Sequence, residues 1–309
     1  MVLSVEYAIE AEGLRKSYGG AAAAAVAGLS LRVPRGSIYG FLGRNGAGKT
    51  TTIKMLLGQT RPDAGRGTVL GRRIDEAGES VELRRRTGFV SEDKGLYDYM
   101  SVGQMIRFTR PFFPAWRADL ESKYLALFDL PAERKVRALS KGMRTKLALL
   151  LALARGAELL ILDEPTEGLD PAMIEEVLGL LTGLAAEQEL TIFFSSHQIA
   201  EVEQIADRVL IIEGGRAVVE GAIDELKDSY RRINLIYDAT APQPAAHPFA
   251  APNVVSARSD GRWLSVVVSH DAERLAEEAR AGGALSVDVQ PVGLKDIFLE
   301  SVKNDKDER

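Results

Sequence analysis

The run Gly43-Arg44-Asn45-Gly46-Ala47-Gly48-Lys49-Thr50, with Thr51 directly behind it, carries the residue types that hold a polyphosphate. An apolar stretch, Ile38 to Leu42, precedes it, and Ile53 to Leu57 follows with helical spacing. Strand, glycine-rich loop, helix is the context a phosphate-binding loop requires. In that order the glycines let successive backbone N–H groups turn inward around phosphate oxygens, and the helix N-terminus adds its positive end. Lys49 is placed to reach the β- and γ-phosphates, and the Thr50 hydroxyl to sit on Mg²⁺. A second candidate lies in Leu159-Leu160-Ile161-Leu162, which runs into Asp163-Glu164. A buried strand that delivers two carboxylates beside a phosphate loop can give the first to the Mg²⁺ shell. The second can orient or deprotonate water. Asp163 is therefore assigned to magnesium and Glu164 to the general base.

The elements that must position these groups alternate. Residues 5–42 hold short apolar runs with turn signals, and predict a small β-rich lobe leading into the phosphate loop. Ala21–Ala25, after Gly19-Gly20, predicts a permissive loop between strands. Thr87 to Val90 reads as a buried strand, Asp93 to Tyr99 as a turn-rich segment, and Arg144 to Ala154 as a helix. Between them, Trp116 to Leu130 places Leu120, Tyr124, Leu127 and Phe128 on one helical face. Leu159 to Leu162, Leu190 to Phe194 and Arg208 to Glu213 then alternate with helical segments, which predicts a mostly parallel sheet covered by helices. Beyond Tyr230 the composition shifts, and a Pro/Ala-rich loop at 239–252 interrupts segments of a small α+β domain. The expected division is 1–228 and 229–309, with a helical subdomain at about 95–155 inside the first.

Composition narrows the function classes. The 309 residues are 46% hydrophobic and 27% charged, as in an ordinary soluble protein. With 39 basic against 44 acidic residues the net charge is −5, so no nucleic-acid partner is expected. Cysteine is absent, which excludes disulfides and thiolate metal sites. No stretch approaches the apolar length of a membrane span, and Met1 to Glu10 lacks the basic region of a signal peptide. A cytoplasmic protein is expected, and any membrane part must come from another chain.

Together these marks resemble the ATP-binding subunit of ATP-binding cassette (ABC) transporters, over about residues 5–225. The resemblance implies a P-loop NTPase fold of the ABC type: a mostly parallel core, an N-terminal antiparallel β lobe and a helical subdomain. It makes Tyr18 the aromatic that stacks on adenine and Gly43–Thr51 the ATP loop, and it puts Glu92 in the place of the family's glutamine, near both nucleotide and metal. It makes Ser140, Lys141, Gly142 and Met143 the signature that closes on the partner's ATP, Asp170 part of the following loop, and His197 the switch histidine. His197 follows an apolar strand and Ser195-Ser196, at the sheet edge where a γ-phosphate belongs. Two positions depart from the family: Glu92 adds a charge, and Lys141 and Met143 replace a glycine and a glutamine.

The resemblance further implies ATP and Mg²⁺ as cofactors and a second cassette, identical or related, bound head to tail. It implies an integral membrane permease contacted near Tyr97, Tyr99 and Met100. The expected place is peripheral, at the inner face of the cell membrane. The ending Val292-Gly293-Leu294-Lys295-Asp296-Ile297-Phe298 resembles the bacterial multidrug and antibiotic exporters, so export is the expected direction. Two rival readings stand beside this one: a soluble ABC ATPase acting on ribosomes, DNA or cofactor assembly, and a nucleotide-gated regulatory module with little catalysis.

Overall fold

The computed structural model describes residues 7–19, 24–188, 190–238 and 252–307. The chain forms two compact units, Met1–Ala217 and Val218–Arg309. The division falls before the compositional shift, because the helix Ile223–Ser229 belongs with the second unit.

A sheet organises the first unit. Its five parallel strands are, in spatial order, Arg208–Glu213, Ile38–Gly43, Thr191–Ser196, Leu159–Asp163 and Thr87–Val90. The three central ones are buried along their whole length, which is why they read as unbroken apolar runs rather than as alternating ones. Tyr39 and Phe41 pack on Phe193 from the neighbouring strand, with ring centroids 5.8 and 5.3 Å apart. Each such ring contributes about 1.5–3 kcal/mol through burial. Register then decides where the chemistry goes. Leu42 lies opposite Ser196, Asp163 opposite Ser195, and Val90 opposite Leu162. Every segment that follows one of these strands therefore starts at the same carboxyl edge, where open α/β sheets bind ligands.

The β lobe is an antiparallel sheet of Val26–Pro34, Tyr7–Lys16, Ala64–Val69 and Arg72–Arg73, in that order. Its apolar side chains, among them Ile9, Leu29 and Val69, join the same core as Tyr39 and Phe193. The helical segments of this unit include Val102–Thr109, Ala118–Leu127 and Lys141–Ala154. Ser101 caps the first of them in a reciprocal capping box with Gln104. On the second, Tyr124 and Phe128 are buried and stacked, as the helical spacing predicts, but Leu127 is 58% exposed. It is the last residue of the helix, offset from the stripe that repeats every four residues through Leu120, Tyr124 and Phe128.

The second unit is an antiparallel sheet ordered Val254–Asp260, Trp263–Val268, Arg231–Ile236, Ser286–Pro291. The helix Ala272–Ala281 buries Leu275 and Ala279 against Ile233, Leu235 and Val266. Glu300, on the helix Leu294–Asp307, is 5% exposed and accepts hydrogen bonds from Ser256 and Arg258. The Pro/Ala-rich loop lies outside the described residues up to 251, and so does most of Ala21–Ala25.

Candidate nucleotide site

The glycine-rich loop bends on left-handed residues. Gly46 has φ 83° and Gly48 φ 110°, and the helix Lys49–Leu56 begins directly after Gly48. A Cβ on Gly48 would stand 2.4 Å from the Ala25 carbonyl oxygen, so only glycine lets the loop pass that backbone. Lys49 is 6% exposed. Its ammonium donates to the Gly43 carbonyl at 2.7 Å and lies 3.1 Å from Glu164 Oε1.

Glu164 is the hub. Its backbone has φ 48°, a left-handed conformation uncommon for a residue with a long side chain. Ser195 holds that turn: its hydroxyl donates to Asp163 Oδ1 at 2.7 Å and accepts the Glu164 N–H at 3.1 Å. Glu164 Oε2 lies 2.9 Å from His197 Nδ1. A carboxylate only accepts, so the ring proton of this contact sits on Nδ1 whenever Glu164 is ionised. His197 Nε2 stands 3.7 Å from Glu167 Oε2. One carboxylate, 7% exposed, is thus held between a lysine and an imidazole.

One cleft gathers Asn45, Gly46, Gly48, Lys49, Thr50, Thr51, Glu92, Glu164 and His197. Nine of the residues marked in the sequence therefore share one wall, together with Glu167. A neighbouring cleft is lined by Thr50, Glu92, Asp163 and Lys141, among others. Thr50, Glu92 and Asp163 offer only oxygen donors, the set a hard divalent cation takes. The group Glu164, Glu167 and His197 also brings donor atoms within 4.8 Å of one another, but the Glu164 oxygens there already face Lys49 and His197.

Other marked residues stand elsewhere. Gly43 and Ala47 are buried in the loop's base, and Arg44 is exposed. Tyr18 is 47% exposed, with the Lys16 ammonium 5.9 Å from its ring centroid, and it lines neither cleft. Ser140 is exposed at the N-cap of Lys141–Ala154 and accepts the Met143 N–H. Gly142 packs so closely on Met173 that a Cβ would come within 2.5 Å of its methyl group. Asp170 accepts the Met173 N–H at 3.1 Å, at the start of Pro171–Gln188.

Sequence reasoning passed over two side chains. Lys94 donates to the carbonyls of Glu164 and Pro165, at 3.3 Å each. Burial pushes its ammonium down, while the carboxylates of Glu92, Asp163, Asp93 and Glu167 hold it up. Glu201 is 4% exposed and accepts hydrogen bonds from Thr166 at 2.8 Å and Ser196 at 2.9 Å. It ties the segment after Glu164 to the strand end before His197. Burial, foremost, pushes the Glu201 carboxyl above its ordinary value. The folded state therefore holds this proton more tightly than the unfolded chain, and the stability it contributes is lost as pH rises through the folded pKa. Glu201→Gln, which does not titrate, should gain stability relative to the wild type as pH rises from about 4 to about 8. Paired thermal melts across that range would read the difference, and parallel curves would exclude the effect.

The family model described as ABC transporter matches residues 26–167. The bacitracin transport ATP-binding protein BcrA of Bacillus licheniformis is 39% identical over 226 residues, 72% of this chain and 72% of its own. The daunorubicin resistance ATP-binding protein DrrA3 of Streptomyces coeruleorubidus is 34% identical over 302 residues, 96% of this chain and 94% of its own. That alignment takes in the second unit as well. Among solved structures, cbiO1 from Clostridium perfringens, part of the ABC transporter complex cbiONQ, is 28% identical with a TM-score of 0.62. It covers 70% of this chain and 89% of its own. The chain belongs to the ABC transporter family, as an ATP-binding subunit that couples ATP hydrolysis to transport.

Proposed function

We propose that this chain turns over ATP as one half of a head-to-tail pair and powers a separate integral membrane permease in the export direction. The buried Lys49–Glu164–His197 constellation beside the phosphate loop carries the reading. In it the loop amides and Lys49 hold the β- and γ-phosphates. Thr50, Asp163 and Glu92 would hold Mg²⁺, which supplies charge neutralisation at the phosphate oxygens. Glu164 takes the proton of the attacking water, and His197 Nδ1–H fixes the carboxylate that receives it. Tyr18, exposed at the end of the β lobe, is left for the adenine ring.

Pairing is supported by where the signature stands. Lys141 lines one cleft of its own chain, but Ser140, Gly142 and Met143 line neither, and Ser140 is exposed at a helix N-terminus. They suit the γ-phosphate of a second cassette, identical or related. A permease is supported by an exposed aromatic chain. Tyr97 lies 5.8 Å from Tyr99 and 5.5 Å from Phe108, which lies 5.6 Å from Phe112, and all four rings are exposed. Such a patch marks an interaction surface rather than ordinary solvent exposure. Among the described residues no helix is long and apolar enough to cross a membrane. We place the chain on the cytoplasmic face, bound to the permease. Export follows the names of its relatives, one in bacitracin transport and one in daunorubicin resistance.

Purification from solubilised membranes tests the partner. The expected result is co-purification with a polytopic membrane protein. Tyr97→Ala combined with Phe108→Ala should weaken that complex by about thirtyfold or more, as loss of an aromatic hot spot does, and leave basal ATP turnover unchanged. Capture of ribosomes or DNA in place of a membrane protein would overturn the reading.

A further inference from the structure

The acidic Glu92 stands where the family resemblance calls for a neutral glutamine, beside a site built for a polyanion. Lys94, two residues on, accompanies it. A backbone φ of 64° and a Lys94 N–H donated to the Ser91 carbonyl at 2.9 Å fold this segment into a tight turn. The turn carries the lysine side chain back to the sheet edge, onto the carbonyls of Glu164 and Pro165. Lys94 lines the same cleft as the carboxylates of Glu92, Asp93, Asp163 and Glu167; Lys54, Lys141 and Arg144 line it too, and among these cations Lys94 is bonded to the backbone of Glu164. Two of its three N–H donors serve those carbonyls, and the third is available to the cleft.

We propose that Lys94 is a positioning residue for hydrolysis: its charge compensates Glu92 in the cleft that adjoins the phosphate loop, and its carbonyl contacts tether the Glu92 turn to the backbone of the general base. The proposal rests on the reading of the adjoining phosphate-loop cleft as the ATP site. Its physical content is a coupling between two charges. Without Lys94, Glu92 would oppose an incoming triphosphate to the extent that a bound cation leaves its charge unneutralised. Without both, the site would have neither the repulsion nor its compensation. With only Glu92 neutralised, Lys94 still holds Glu164 in place and adds to the positive field.

A double-mutant cycle on the full chain, Lys94→Met with Glu92→Gln, reads that coupling. ATP binding, kcat and KM are measured for the wild type, both single variants, the double variant and Lys94→Arg. The expected result is a fall of about tenfold or more in kcat/KM for K94M, within the range of couplings between residues of one polar network. In the E92Q background the same change should cost about threefold or less, and K94R should retain most of the activity. Equal losses from K94M in both backgrounds would reduce Lys94 to a structural tether and overturn the proposal, as would wild-type kinetics in K94M. Failure of the underlying reading looks different: the wild type itself would then bind no ATP.

Discussion

Glu164→Gln is expected to bind ATP with wild-type affinity and to turn it over about 10²–10⁴-fold more slowly, the usual cost of losing a general base. The substitution is close to isosteric. An amide oxygen still accepts the His197 Nδ1–H at the 2.9 Å contact, and the loop that cradles phosphate is untouched. Its backbone keeps the Ser195 hydrogen bond that stabilises the left-handed turn at φ 48°. What the amide cannot do is take a proton. With hydrolysis stalled, ATP should hold two copies together, and the variant should elute as a dimer with nucleotide bound where the wild type does not. Steady-state turnover and size-exclusion chromatography read the two effects separately. Wild-type turnover in E164Q would move the base elsewhere, and Glu167, 3.7 Å from His197 Nε2, is the nearest carboxylate to test next.

What the sequence reveals here depends on how each element signals itself. Leu159–Asp163 and Thr191–Ser196 are legible because strands covered on both faces must be apolar throughout. Their ends are legible for the complementary reason: Asp163 and Ser195 are polar residues where a buried run stops, and register puts them opposite each other. Ala64–Val69, by contrast, begins with three exposed residues, two of the strand's six being glycine, so neither alternation nor an apolar run announces it. It is a strand because Tyr7–Lys16 offers it a long antiparallel edge. Leu127 fails the stripe rule because the buried face repeats every four residues through Leu120, Tyr124 and Phe128 and Leu127 is offset from it. The site divides in the same way. Glycines and Lys49 obey a local spacing and can be read directly, whereas Lys94 and Glu201 act through contacts 70 and 35 residues away in the chain. Nothing in their own neighbourhood marks them. Lys94 sits in a turn, and Glu201 is a carboxylate inside the short helix Ile199–Ile205 that looks like any solvated helix face until the fold buries it.

Lys49→Met is expected to weaken ATP binding by at least about tenfold, since a charge-assisted hydrogen bond contributes about 1.5–3 kcal/mol. It should also destabilise the protein in the absence of nucleotide. The Lys49 and Glu164 side chains are only 6% and 9% exposed and stand 3.1 Å apart. Removing the ammonium leaves a buried carboxylate with His197 as its remaining partner, and breaking a buried pair costs about 3–5 kcal/mol. The value here should fall toward the lower figure, because the His197 contact stays. Adding Glu164→Gln to Lys49→Met removes the stranded charge, so the double variant should be more stable than K49M alone although two native groups are missing. Denaturant unfolding of the wild type, both single variants and the double variant measures that coupling. Additive losses would mean that water already screens the pair and that Glu164 is not poised by Lys49. Recovery in the double variant would mean that the two side chains stabilise each other in the fold, an attraction that the site gives up when a phosphate draws the lysine away.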